Sequence, residues 1–250
     1  MCYKGSISKE EAKIDYLQKQ QDKSKKIRIP HKSYHFNAFS NPIINIVAQD
    51  EPNIISEATW GLIPFWGMSD PKKFLSGKQY TNNARGEDLY ETKSYKNYVP
   101  KHRCVILFDG FFEPHHYDKK QNQPYFCYIP ETSDGDYKNR ELLSIGGIYS
   151  IVDDHYYVSL VTTEANDFFA EVHNNKKRMP LVLDNNLVKE WISPDQSKSV
   201  IDDLVRTGFT SKEFKAHPVS SDIYKTDFHR DGQEVIEPVK PIQDIFNTLF

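Results

Sequence analysis

A cysteine at position 2, directly after Met1, is the residue on which the most distinctive chemistry can be built. Loss of Met1 would leave a free α-amine and a thiol on adjacent carbons. Such a 1,2-aminothiol attacks carbonyl carbons, and with an aldehyde it closes a thiazolidine ring and releases one water. The amine can also serve as the local base for its own side chain, as in N-terminal nucleophile enzymes. An unassisted thiol ionises near about pH 8.5, so only a small fraction is thiolate at neutral pH. Taken alone, a Met-Cys start is more often a chance residue in a frayed terminus.

Three further groups could complete a site. Asn83-Ala84-Arg85 follows a polar run, where an amide and a guanidinium are available. Glu113 follows Asp109-Gly110-Phe111-Phe112 at the end of the most apolar stretch. A carboxylate there is either a salt-bridged strand end or a carboxyl with a raised pKa suited to proton transfer. His173 stands in EVHNNKKRMPLVL, beside Lys176, Lys177 and Arg178. A lone histidine is usually structural; next to such cations it could protonate a leaving oxygen near phosphates. Trp60 and Trp66 flank Pro64. Tryptophan is more often core than platform, but a ring left at the surface could stack on a base for about 1–3 kcal/mol.

Composition bounds the setting. The chain has 250 residues, 38% apolar and 27% charged, with 15 Tyr and 15 Phe. That is a globular composition, too apolar for a disordered chain. The net charge of -3 gives no overall basic footprint for nucleic acid, so any such site must be a local patch. Three cysteines, Cys2, Cys104 and Cys127, form no CxxC or Cys/His metal spacing. A disulfide framework and a structural zinc site are therefore not expected, and the chemistry needs no metal or other cofactor. The first 30 residues lack the apolar core of a signal peptide, and no 18-residue apolar run is present. A cytoplasmic chain with no membrane contact is the expectation.

The elements that must hold these groups read as mainly β. A short extended lead over 2–7 is followed by a helix from Ser8, where Ser8 and Glu11 make a capping box and Ile7 staples onto Ala12. This helix carries Ile14 and Leu17 and frays into a basic stretch with Lys19, Lys23, Lys25, Lys26 and Arg28, read first as a solvated helix end. Residues 43–48 and 54–60 read as paired strands. A buried strand covers 103–112, and strands follow over 124–128, 142–152 and 156–162, the last two joined by a tight turn at Asp153-Asp154. A helical segment over 166–172, a short strand over 181–183, helices over 187–192 and 196–207, Gly208 after the last, and an irregular tail complete the chain. The expected fold is α+β, mainly β: a curved, barrel-like antiparallel sheet with peripheral helices, in one domain over 1–250.

The order of the motifs resembles the SOS response-associated peptidase (SRAP) family over most of the chain. The matching stretches are Cys2 after Met1, WGLIPFW at 60–66, NAR at 83–85, RCVILFDGFFE at 103–113 and LVTTEAN at 160–166. His173 before RMPLVL at 178–183, HPVS at 217–220 and EVIEPV at 234–239 continue the series. The resemblance implies a nucleoid-associated, monomeric sensor of abasic sites in single-stranded DNA. Cys2, exposed by autoproteolytic removal of Met1, would capture the ring-opened sugar aldehyde as a thiazolidine DNA–protein crosslink, a thiol-dependent peptidase with crosslinking, lyase-like activity. It further implies that Asn83 holds the Cys2 end by hydrogen bonds, that Glu113 shuttles protons, and that His173 protonates the sugar ring oxygen. Arg85 would grip a phosphate, Trp66 would stack near the lesion, and Lys4 and Arg178 would add phosphate contacts.

Four features depart from the family's pattern. Tyr3-Lys4 stands where the family has Gly-Arg. Asn37-Ala38-Phe39-Ser40 lacks the proline of the family's Asn-x-Ala-Pro turn, the spacing in HNNKKRMP is stretched, and Pro114 replaces a tryptophan. Lys4 meets a phosphate as a point charge where arginine would offer a fork. Two other readings use the same residues. One is an N-terminal nucleophile amidohydrolase or thiol protease with His173 or Glu113 as base. The other is a single-strand DNA binder in which Cys2 is incidental.

Overall fold

The computed structural model describes residues 2–17, 26–77, 80–118, 121–225 and 227–242. In chain order the strands begin with β1 (Lys4–Ile7), β2 (Glu11–Ala12), β3 (Ile27–Arg28), β4 (Ser33–Asn37), β5 (Ile43–Ala48) and β6 (Ser56–Trp60). Next come helix α1 (Pro71–Ser76), β7 (Asn83–Arg85), β8 (Arg103–Phe108), β9 (Gly110–His116) and β10 (Asn122–Tyr128). The long hairpin β11 (Leu143–Val152) and β12 (His155–Glu164) precedes α2 (Asp167–Val172), β13 (Arg178–Pro180) and β14 (Val182–Leu183). Helices α3 (Asn185–Trp191) and α4 (Lys198–Thr207) and strand β15 (Lys215–Pro218) follow.

The fold is α+β and mainly β. Five strands close on themselves, because β12 bonds β6, β6 bonds β5, β5 bonds β8, β8 bonds β11, and β11 returns to β12. The ring is antiparallel except at one seam. There β6 runs parallel to β12, and β7 extends the same seam with Asn83 opposite Leu160 and Arg85 opposite Thr162. The curved, barrel-like, mainly antiparallel sheet matches the expectation, and closure adds the one parallel seam between strands whose order along the chain gives no sign of pairing. A second sheet, ordered β15-β10-β9-β1-β4, lies against the ring. Phe111, Tyr125 and Cys127 on its inner side join the main core with Trp60 and Phe108.

Alternation and turn chemistry explain most of the local structure. Strand β5 has the bounds expected of it, and β6 is the expected partner, starting two residues late at Ser56. The Asp153-Asp154 turn has φ of 50° and 60°, the left-handed pair that matches the twist of a hairpin. Asn166 caps α2 by accepting from the Phe169 N–H.

Three expectations fail. No helix begins at Ser8. Its N–H and hydroxyl instead donate to the Asp109 carboxylate at 2.7 and 2.9 Å, and residues 11–12 pair with 27–28 as β2 and β3. Ile14 and Leu17 are buried, so the helical spacing marked burial correctly and backbone shape wrongly. Lys19, Lys23 and Lys25 lie outside the described residues. The 103–112 strand is two strands in two sheets, broken at Asp109. Periodicity cannot detect that break, since both halves are apolar. The tail contributes β15, paired with β10 from Tyr125↔Pro218 to Tyr128↔Lys215. Val219, Ile223, Val235 and Ile236 then cover Phe112, Phe126 and Tyr128 on the outer face of the second sheet.

The Asp109 break aligns the site. Its carboxylate is fully buried and takes Arg140 at 3.1 Å besides Ser8, tying β1, β9 and the 129–141 excursion to one point. Removing one member of a buried pair strands the other charge, which costs about 3–5 kcal/mol. Asp109→Ala should therefore lower the urea midpoint of unfolding by that loss of stability, while an equally conservative change at exposed Asp134 should leave it unchanged. Close approach at β1 is equally demanding: a Cβ on Gly5 would stand 2.3 Å from the Phe108 ring, so only glycine lets the first strand lie this near β8.

Candidate active site

Cys2 stands two residues before the first residue of β1 and is wholly buried, its thiol pointing toward the Lys4 carbonyl at 3.6 Å. Strand β1 is held between β4 and β9, with Gly5 opposite both Phe36 and Phe111. That pairing places the start of the chain beside the strand that carries Glu113. Burial pushes the Cys2 thiol well above its ordinary range, and the nearby Glu113 charge adds to the effect. The thiol therefore needs a local base before it can act as a nucleophile.

Glu113 lies within β9 opposite Tyr125 and is fully buried. Burial raises its carboxyl to about 7, against the opposing pull of the amino-terminal charge. A carboxyl poised there can give and take a proton at neutral pH, which is what a general acid–base group must do. Of the two roles open to a carboxylate at this place, the raised value fits proton transfer.

Beside Glu113 stands the imidazole of His173, the residue that ends α2. Its Nδ1 is 3.2 Å from Glu113 Oε2 and 3.0 Å from the Arg178 carbonyl oxygen. A carbonyl only accepts, so Nδ1 carries the hydrogen and the ring's other nitrogen is the one open to a proton. Burial first, then the amino-terminal charge, lowers its pKa to about 4. At pH 7 the imidazole is neutral, so its 3.2 Å approach to the carboxyl is a close contact with the Nδ1 hydrogen spent on the Arg178 carbonyl, not an ion pair.

Asn83 opens β7, and its carbonyl accepts from the Tyr95 hydroxyl at 3.0 Å. The side-chain amide is shielded from solvent with no hydrogen-bond partner among the described residues. It lies beside the Tyr3 hydroxyl and favours that phenolate, though at a geometry too loose for a proper hydrogen bond. The neighbouring Asn82 ties the surrounding loops, donating to the Ala38 and Trp60 carbonyls at 2.8 and 3.0 Å.

The residues expected to meet DNA are spread over different environments. Arg85 is more than half exposed, with a loose pairing to Asp88 at 3.5 Å. Trp66 is exposed in a 3-10 turn and meets Phe65 edge-on at 5.0 Å, while Trp60 and Trp191 are core residues. Lys4 is buried, which lowers its ammonium to about 8. Arg178 is buried too, its guanidinium forked onto Glu87 at 2.7 and 2.8 Å and bonded to the Thr162 carbonyl.

Cysteine 127 and Tyr224 were not singled out from sequence. The Cys127 thiol feels the charges of Cys2 and Glu113, and the Tyr224 hydroxyl those of Glu113 and Cys127, so both border the same pocket. Register supplies the signal for Cys127: it stands opposite Phe111 on the face that carries Glu113. Nothing in the SSDIY segment marks Tyr224. Among the described residues no cluster of His, Cys, Asp and Glu is arranged to hold a metal ion, and no helix is long and apolar enough to cross a membrane. A cavity of about 480 Å³ lies near Lys9, Tyr16 and Lys212, and none of the four candidate catalytic residues lines it.

Residues 1–226 match the SOS response associated peptidase (SRAP) family. An abasic site processing protein of Bacillus subtilis, YoaM, is 26% identical over 187 residues, covering 73% of this chain and 75% of that protein. The abasic site processing protein HMCES of Gallus gallus is 26% identical over 211 residues, covering 77% of this chain but only 60% of the longer relative. A crystal structure of a protein from Bacteroides thetaiotaomicron superposes with a TM-score of 0.74 at 26% identity, covering 96% of this chain and 100% of the other.

Proposed function

Because this chain belongs to the SOS response associated peptidase (SRAP) family, we propose that it captures abasic sites in single-stranded DNA through Cys2. The relatives named for abasic site processing support the DNA substrate. The observation that carries the chemistry is the burial of Cys2 beside a carboxyl poised at about 7, itself in contact with His173.

Met1 leaves first. The Cys2 thiol, deprotonated by Glu113, attacks the Met1 carbonyl carbon, and the peptide nitrogen departs with that proton as the Cys2 α-amine. Water then cleaves the thioester and frees methionine. The amine attacks the aldehyde of a ring-opened abasic sugar, Glu113 returns a proton to expel water from the carbinolamine, and the thiol adds to the imine to close the thiazolidine. One water is lost overall, and no redox partner is required. His173 assists ring opening at the sugar oxygen; the negative charge of an incoming phosphodiester would raise its pKa toward the working range. The buried Asn83 amide holds the Cys2 amine. Outside the pocket, Arg85 grips a phosphate and Trp66 stacks beside the lesion. Arg178 contributes by fixing the His173 carbonyl partner, with its own charge taken up by Glu87. Monomeric protein suffices.

A denaturing gel of the protein incubated with an oligonucleotide bearing one abasic site tests the reading. A slower band should form with the lesion and not with the intact strand; no band with Met1 already removed would turn the reading toward an amidohydrolase. Arg85→Ala should weaken non-covalent binding and reduce the slope of log Kd against log salt by about 0.7, the contribution of one single-strand phosphate contact. Anisotropy titrations at several salt concentrations measure it, and an unchanged slope would remove Arg85 from the phosphate path.

A further inference from the structure

A chain of three rings that the chemistry above does not use begins at the residue next to Cys2. Tyr3 directly follows Cys2, and its carbonyl accepts from the Ala38 N–H at 2.8 Å. Its ring stacks on Phe39, with centroids 4.7 Å apart and planes 26° from parallel. Phe39 in turn meets Tyr80 edge-on at 5.8 Å and 89°. Phe39 is 54% exposed and Tyr80 61%, the opposite of what such side chains do when they serve only packing.

The rings are held in place. Asn37 caps the Phe39 N–H at 3.2 Å, Asn41 closes the turn with φ of 49°, and its amide donates to the Trp60 carbonyl at 2.8 Å. Tyr80 precedes Thr81-Asn82-Asn83, and Asn82 fastens that segment to the Ala38 carbonyl. Of the cations expected to meet phosphate, Lys4 is buried and Arg178 is forked onto Glu87, which leaves Arg85 as the exposed one.

We propose that Tyr3, Phe39 and Tyr80 form a stacking platform that seats the nucleobase adjoining the lesion, making stacking a larger part of the non-covalent grip than phosphate pairing. This rests on single-stranded DNA being the substrate. A strand whose aldehyde reaches Cys2 must carry its next unit past Tyr3, and beside an abasic sugar that unit bears a base. The perpendicular Phe39–Tyr80 corner offers a face for the base and an edge against its side.

The test uses the whole chain and an oligonucleotide with tetrahydrofuran, an abasic analogue without an aldehyde, flanked on one side or the other by 2-aminopurine. Binding should quench the 2-aminopurine in at least one of the two placements. Phe39→Ala/Tyr80→Ala should bind about 10-fold more weakly, lose the quench, and keep the wild-type salt slope and unfolding curve. Wild-type affinity and quenching in the double variant, or no quenching by wild type in either placement, overturns the platform. A protein partner for these rings would give the second of those results. Because the analogue cannot react, quenching without crosslinking on true abasic DNA would defeat covalent capture alone, and crosslinking without quenching would defeat the platform alone.

Discussion

Cys2→Ala abolishes the covalent adduct with abasic DNA while leaving non-covalent affinity within about twofold of wild type. The thiol is fully buried and, among the described residues, points to the Lys4 carbonyl, so its loss removes one sulfur from the interior and no surface that could meet DNA. After loss of Met1, alanine still offers an α-amine, and an amine alone forms an imine that water reverses. The thiazolidine needs the sulfur to trap that imine. Adduct surviving denaturation should therefore fall below detection, a loss of at least about 100-fold, in keeping with removal of a covalent nucleophile. Anisotropy with the unreactive tetrahydrofuran strand measures the retained affinity. An undiminished adduct from Cys2→Ala would place the nucleophile elsewhere.

Glu113→Gln is the second large effect, and it acts in opposite directions on activity and stability. Glutamine fills the same space but moves no proton, so adduct formation should slow by about 100-fold or more, the usual worth of a positioned acid–base group. The wild-type rate should change around the Glu113 value of about 7, and the variant's profile should lose that inflection. For stability the sign follows from linkage. The folded carboxyl, at about 7, holds its proton to higher pH than the unfolded one at 4.5. Its favourable contribution is complete below 4.5 and is lost as pH rises through 7. Above that the folded state carries a buried charge, a penalty of about 3 kcal/mol. Glu113→Gln should thus be more stable than wild type at pH 8, with the difference closing toward pH 4.5. His173 contributes with the opposite sign: its depressed pKa favours folding above 6.5, and that contribution fades as pH falls toward about 4 in both proteins. Denaturant melts across this range read both slopes. A variant less stable than wild type at pH 8 would mean that Glu113 makes net favourable contacts as a carboxylate.

Both expected effects turn on one carboxyl held in a fully buried place. Glu113 stands near a buried thiol and a neutral imidazole.

Much of this was legible in the chain, and the exceptions have physical causes. Strand β5 and the β11–β12 hairpin follow from alternation and from a two-aspartate turn with no competing signal. The helix expected from Ser8 fails because Ser8 answers to Asp109, a partner 101 residues away. The broken strand at Asp109 hides for the same reason: the charge that ends β8 is satisfied by tertiary contacts alone. Cys2, Glu113 and His173 could be named singly, and their order gave them meaning through a family resemblance. That they meet depends on β1 pairing with β9 and on α2 ending beside Glu113, which no local pattern encodes. The internal commitment of Arg178 and the burial of Lys4 were equally hidden, since a basic run next to a strand looks the same whether it faces solvent or a glutamate.

The most direct measurement is the intact mass of the adduct purified from a denaturing gel, with iodoacetamide labelling of its cysteines. Capture by a 1,2-aminothiol predicts the mass of the chain without Met1 plus that of the abasic oligonucleotide minus one water, with Cys2 protected from alkylation without prior reduction. An adduct that retains Met1, or one in which Cys2 is alkylated and the DNA sits on a lysine, would contradict it.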